Sequence, residues 1–164
     1  REQLTTGQNP YAAILSFPDS RTGPDFAFDS VWGVLVVCRV AGNFANDGVI
    51  ASFEYGIAIL NCPLLMVLGH ADCGAIDATI KSIKDNSTLP GHLSSLVKAL
   101  SPAVEATAGQ AGNALDNAIK QNVIFNVAKL KAATPIIDKA IADKKVRIVG
   151  AVYNLSNGRV EIVG

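Results

Sequence analysis

The sequence predicts an α/β fold whose sheet is mainly parallel, with one antiparallel strand added at the C-terminal end. Three observations carry this. Short continuous apolar runs rich in Val, Ile and Leu recur along the chain, as in strands covered on both faces. Stretches with helical spacing separate them. Near the C-terminus a turn signal divides the last two runs.

The strands are expected at Tyr11–Leu15, Val34–Arg39, Leu64–Leu68 and Val146–Tyr153. Residues 50–60 (IASFEYGIAIL) follow Asp47-Gly48 with apolar residues at helix spacing, and 73–83 repeat the pattern after the third run. Residues 117–133 form a longer amphipathic stretch stopped by Pro135, and 136–142 a short one. Lys84–Pro90 and Ala106–Gly112 are polar and rich in small residues, which suits loops or helix ends rather than linkers. Asn154–Gly158 (NLSNG) between Val149–Tyr153 and Val160–Val163 reads as a hairpin turn. No repeat or low-complexity segment interrupts the chain, so one domain over 1–164 is expected.

Hydrophobic residues make up 49% and charged residues 17%, a balance that builds a core and excludes disorder. The 14 basic and 14 acidic residues cancel, so no electrostatic footprint for nucleic acid or an anionic membrane exists; a small neutral or singly charged ligand is the simpler expectation. No apolar run approaches the roughly 20 residues that span a bilayer. Cys38, Cys62 and Cys73 are odd in number and widely spaced, which argues against a disulfide framework and for a reduced, cytoplasmic setting. The chain begins at Arg1 rather than Met and so reads as trimmed or processed.

Three segments carry the candidate chemistry. Gly69-His70-Ala71-Asp72-Cys73-Gly74 follows the third strand, where an imidazole and a thiolate three residues apart can face one ion, a pair suited to zinc. Alone, the pair reads equally as a buried cysteine beside a helix-capping histidine. Ser16-Phe17-Pro18-Asp19-Ser20-Arg21 ends the first strand; Asp19 and Arg21 form either a fixed ion pair or an ordinary surface turn. Arg39-Val40-Ala41-Gly42-Asn43 follows the second strand, and its small residues allow close backbone approach or simply a tight turn.

Together and in this order, FPDSR (17–21), RVAGN (39–43), SFEYG (52–56) and GHADCG (69–74) resemble the β-class carbonic anhydrases, whose pattern reads C-x-D-S-R, R-N-A-G-N, S-L-E-Y-A and G-H-x-x-C-G. Weaker similarity continues through Asn122-Val123, TPII (134–137) and 150–163, so the resemblance spans nearly the whole chain. It implies a central four-stranded parallel sheet with an added C-terminal strand, assembled as a homodimer or a dimer of dimers. It implies zinc held by two cysteines and a histidine, here matched by His70 and Cys73, and carbon dioxide and bicarbonate as substrate and product. Asp19 and Arg21 match the family's orienting pair, Gln8 the amide that helps bind substrate across the subunit interface, and Tyr55 a pocket tyrosine. Val36 takes a place often held by Phe in the substrate pocket, and Ala41 lies in the pocket motif.

One departure dominates. Phe17 stands at the first ligand cysteine, and a benzyl side chain cannot bind zinc, which normally has at least three protein donors. Asp19 is a candidate third ligand beside His70 and Cys73, at the expense of its orienting role. Pro18, Thr22-Gly23, Val40 and Val36 also differ from the pattern nearby, which favours natural divergence over an engineered knockout. The expectation is that the Phe17 ring fills the space left by the metal and by the missing ring at Val36. Cys38, facing opposite to Arg39, and Cys62, in a helix-to-strand loop, do not substitute for the lost thiol; His92 reads as a surface histidine.

Three functions follow from the resemblance. The first is reversible carbon dioxide hydration by an incomplete zinc site. The second is a non-catalytic relative with weak or no zinc, acting as a binding or assembly module. The third is a zinc hydrolase for a carbon dioxide analogue such as carbonyl sulfide.

Overall fold

A computed structural model describes residues 2–164. Its strands are β1 (Ala12–Ser16), β2 (Leu35–Arg39), β3 (Leu64–His70), β4 (Arg147–Tyr153) and β5 (Val160–Ile162), hydrogen-bonded in the order β2-β1-β3-β4-β5. The first four are parallel, and β5 returns antiparallel to β4. This is the predicted architecture. The helices are α1 (Pro24–Ala27), α2 (Asp47–Ala58), α3 (Gly74–Lys84), α4 (Leu93–Ala106), α5 (Ala114–Lys131) and α6 (Ile137–Ala142).

Alternation along the strands divides the core. Ala13, Leu15, Leu65, Val67 and Ile148 face α2, α5 and α6, meeting Phe53, Val123, Val127, Leu130 and Ile137. Ala12, Ile14, Met66 and Leu68 face the other way, with Phe28 and Tyr153 against them. The helix α5 sits close on this sheet because β3 and β4 carry glycine beneath it. A Cβ at Gly69 would lie 2.8 Å from Val123 Cγ2, and one at Gly150 would lie 2.6 Å from Val123 Cγ1.

The starts of α2 and α5 lie about one turn before the apolar periodicity, whereas α3 and α6 start within a residue of it. The Asn46 side chain accepts from Val49 N at 2.9 Å and the Asn113 side chain from Asp116 N at 3.0 Å, so α2 and α5 begin at these caps, within polar turns that apolar spacing does not mark. The strand β3 runs two residues beyond Leu68, so His70 is its last residue, in register with Tyr153. The helix α4 is absent from the sequence reading. Leu93, Leu96, Val97, Leu100 and Val104 carry its spacing, but Pro102 lies inside it and interrupts the helical signal.

Register fixes where the site forms. Ser16 pairs with Arg39 on one side and Leu68 on the other, so residues 17–22, 39–43 and 70–73 converge beyond the carboxyl ends of β1, β2 and β3. In an open parallel sheet, this end is where ligands bind.

Candidate active site

Asp19 and Arg21 form a fixed pair. Arg21 Nε donates to Asp19 Oδ1 at 3.0 Å and Nη2 to Oδ2 at 2.6 Å, while the Arg21 backbone N–H adds a bond to Oδ1 at 2.8 Å. The guanidinium also reaches the Asp72 carbonyl at 3.4 Å. Hydrogen bonding from the Arg21 side chain holds the Asp19 carboxyl well below the usual carboxylate range, and Arg21 is raised in return. The carboxylate is therefore ionised at any physiological pH.

The loop carrying this pair is held by Arg39. Its Nε and Nη2 donate to the Phe17 carbonyl at 3.2 and 3.1 Å, and Nη2 also donates to the carbonyls of Asp19 and Thr22, each at 2.9 Å. One guanidinium thus gathers three carbonyls of the turn. The small residues of this motif predict close backbone approach, whereas in the structure its arginine makes the contacts.

His70 and Cys73 flank the same opening. His70 Nδ1 lies 2.7 Å from the Ala71 carbonyl. A carbonyl only accepts, so Nδ1 carries a proton, and the tautomer this selects has its lone pair on Nε2. That Nε2 is buried and has no hydrogen-bond partner; the nearest carboxylate atom is Asp19 Oδ2 at 3.7 Å. Cys73 is the N-cap residue of α3 and is buried; burial pushes its thiol up, against the smaller pull of the Ile76 and Ala75 N–H groups. The ring of Phe17 fills the gap beside them. It meets the His70 ring in a T-shaped contact, centroids 5.3 Å apart, and packs into the cluster of Cys73, Ile76, Leu100, Ala118 and Ile119.

Zinc does not fit these residues as they stand. Phe17 offers no donor, Asp19 is engaged by Arg21, and among the described residues no three His, Cys, Asp or Glu side chains come together to hold a metal ion. Of these candidate ligand atoms, the buried Nε2 of His70 is the one left without a hydrogen-bond partner among the described residues.

The remaining candidates are dispersed. Val36 lies in the first half of β2, in register with Ala13, and packs on the core under α2. Within this chain, then, Phe17 fills space beside His70 and not beside Val36, which corrects half of the expectation about its ring. Gln8 and Tyr55 are exposed, Ala41 is half-buried, and His92 is exposed at the start of α4. Cys38 and Cys62 pack with the main core, away from the His70 opening. A buried amide network went unread. Asn122 Nδ2 donates to the Gly42 carbonyl at 2.9 Å, Asn126 Oδ1 accepts from Ala45 N at 2.8 Å, and Asn126 Nδ2 donates to Asn122. Two asparagines four apart on the apolar face of a helix were the available signal.

The carbonic anhydrase family model matches residues 12–160. Carbonic anhydrase 2 of Mycobacterium tuberculosis (strain ATCC 25618 / H37Rv) is 35% identical over 97% of this chain and 77% of its own length. The carbonic anhydrase of Mycolicibacterium smegmatis is 32% identical over 99% and 79%. Among solved structures, the β-carbonic anhydrase CcaA superposes with a TM-score of 0.85 at 26% identity, covering 98% of this chain and 82% of that one. Sequence and fold agree, and the chain belongs to the β-carbonic anhydrase family.

Proposed function

We propose that this chain is a relative of the zinc-dependent β-carbonic anhydrases that does not sustain their hydration of carbon dioxide and acts instead as a binding or assembly module. The observation that carries this reading is the Phe17 ring, packed against His70 where a thiolate donor is needed. Self-association supports it. The strand β2 is a sheet edge, and Phe26, Val31 and Trp32 beside it are 92%, 70% and 68% exposed, more large apolar surface than scattered exposure explains. A homodimer or dimer of dimers covers such an edge; the similar enzymes from Sordaria macrospora are tetrameric. Among the described residues no helix is long and apolar enough to cross a membrane.

Reversible carbon dioxide hydration is the second reading, favoured by one distance. Two ligands of a tetrahedral zinc ion at ordinary bond lengths lie roughly 3.4 Å apart, and His70 Nε2 stands 3.7 Å from Asp19 Oδ2. On this reading Asp19 leaves Arg21 to complete a set with His70 and Cys73.

Elemental analysis of protein purified without chelator, with hydration assayed on the same sample, separates the two. Well under one zinc per chain and no hydration above the buffer blank is the expected result. Near one zinc per chain with hydration above the blank establishes the second reading. Sedimentation tests assembly: a species of at least two chains is expected, and a monomer at micromolar concentration removes the assembly part.

A further inference from the structure

We infer that Asn157 is a site of spontaneous deamidation, at which the turn between β4 and β5 loses ammonia and gains a carboxylate. The inference is independent of zinc and starts from the NLSNG turn (154–158), which the site near His70 does not use.

In this reaction the backbone nitrogen of the following residue attacks the side-chain carbonyl carbon of asparagine, and a side chain on that residue obstructs the approach. Of the chain's asparagines only Asn157 precedes glycine. Gly158 stands at φ +70°, in the left-handed region that glycine enters freely, and both residues are exposed. The Arg159 N–H donates to Asn157 Oδ1 at 2.9 Å. That bond draws electron density from the carboxamide and makes Cγ a better electrophile. One bond opposes the attack, from Gly158 N to the Asn154 carbonyl at 2.9 Å. It is a single bond in an exposed turn, of the kind that opens locally while the sheet stays folded. The other asparagines lack this combination. Asn43, Asn122 and Asn126 are buried and precede bulky residues. Asn154 precedes Leu155, and its Oδ1 is tied to Ser156 N and Oγ. Asn86, exposed before Ser87, ranks next after Asn157.

Water is the only co-reactant. Gly158 N bonds to Asn157 Cγ, the Cγ–Nδ2 bond breaks, and the proton lost from Gly158 N leaves through solvent with the departing nitrogen as ammonia. The five-membered imide then takes up one water. Opening at Cγ gives aspartate in an unaltered backbone. Opening at the main-chain carbonyl gives isoaspartate, whose chain runs through the former side chain and is one carbon longer. The two products differ in what they do to the hairpin. Aspartate keeps the bond from Arg159 N and strengthens it with charge. Isoaspartate shifts Gly158 and Arg159 relative to Asn154, against the bonds Asn154 N to Arg159 O at 2.8 Å and Gly158 N to Asn154 O that close the turn before β5.

The test incubates the full chain at mildly alkaline pH and body temperature beside the synthetic peptide 148–159, the tryptic fragment that carries both Asn154 and Asn157. Samples are read by intact mass, anion exchange, and peptide mapping with fragmentation that separates aspartate from isoaspartate. The formal net charge of zero makes one added negative charge easy to resolve. The expected result is a species one mass unit heavier, with Asn157 the first residue converted. Asn157→Gln does not form it at that position, because its imide would need a six-membered ring that closes far more slowly. Asn157→Asp melts at or above wild type, and the isoaspartate fraction melts below both. Conversion led by Asn86, Asn154 or any other asparagine overturns the inference. So does a folded chain still intact at 157 when the peptide has converted fully. An isoaspartate fraction that melts with wild type overturns the account of the hairpin.

Discussion

Positions 17 and 19 lie two residues apart on one turn, yet they have fared differently. At 19, the carboxylate keeps a two-pronged guanidinium partner and a backbone N–H, a polar unit complete in itself. At 17, the side chain offers no polar atom and packs against an apolar cluster. What separates them is dependence. The Asp19–Arg21 pair is built from groups within its own turn and clamped by Arg39, so it needs no metal to hold its shape. The His70 side of the opening has no such internal partner, and its buried Nε2 is left without a hydrogen bond.

The comparison can be broken from either side. The largest effect is expected from Phe17→Ala. Loss of a large side chain from a packed cluster costs about 3 kcal/mol, read by urea unfolding, and the Asp19–Arg21 pair should survive it, with the Asp19 carboxyl shift unchanged by NMR titration. A lost Asp19 shift in that variant means the two halves are coupled after all. Arg39→Met comes next. Removing the group that gathers the carbonyls of Phe17, Asp19 and Thr22 costs about 1–2 kcal/mol, and here the Asp19 titration should move back toward the ordinary carboxylate range. An unmoved titration shows that the clamp is dispensable to the pair.

The smallest effect concerns acid. The folded Asp19 carboxyl titrates below its unfolded value because Arg21 bonds to its ionised form. Its contribution to stability is therefore fully present above the ordinary carboxylate range and is lost as pH falls through that range toward the folded value. Asp19→Asn should flatten the acid limb of unfolding free energy between about pH 5 and pH 2 by lowering stability near neutrality, the two proteins converging in acid; the loss is small because Arg21 is largely exposed. An identical acid limb in variant and wild type removes Asp19 from the account.

The sheet was legible because its strands are covered on both faces and read as uninterrupted apolar runs. His70 and Cys73 were found together because three residues span a strand end and a helix cap. Arg39 was named for the wrong reason. Its partners are carbonyls some twenty positions away, and a carbonyl has no residue type by which a sequence can announce it. The direction of the Phe17 ring was half right for a similar cause. Strand register puts Val36 beside Ala13, at the other end of β2 from the turn, and only pairing reveals that offset. The asparagines at 122 and 126 were legible as polar residues on an apolar helix face, but their partners at Gly42 and Ala45 were not.

Those asparagines give the glycines at 69 and 150 a reach beyond their own neighbourhood. Val123 rests where either glycine's Cβ would be, and the residue before it, Asn122, holds the Gly42 carbonyl. A methyl group at either position would press on the Val123 side chain, next to the amide that holds Gly42 at the rim of the opening. Two residues without side chains set the height at which the chemistry stands, and drift at either would reshape the rim while every polar group kept its identity.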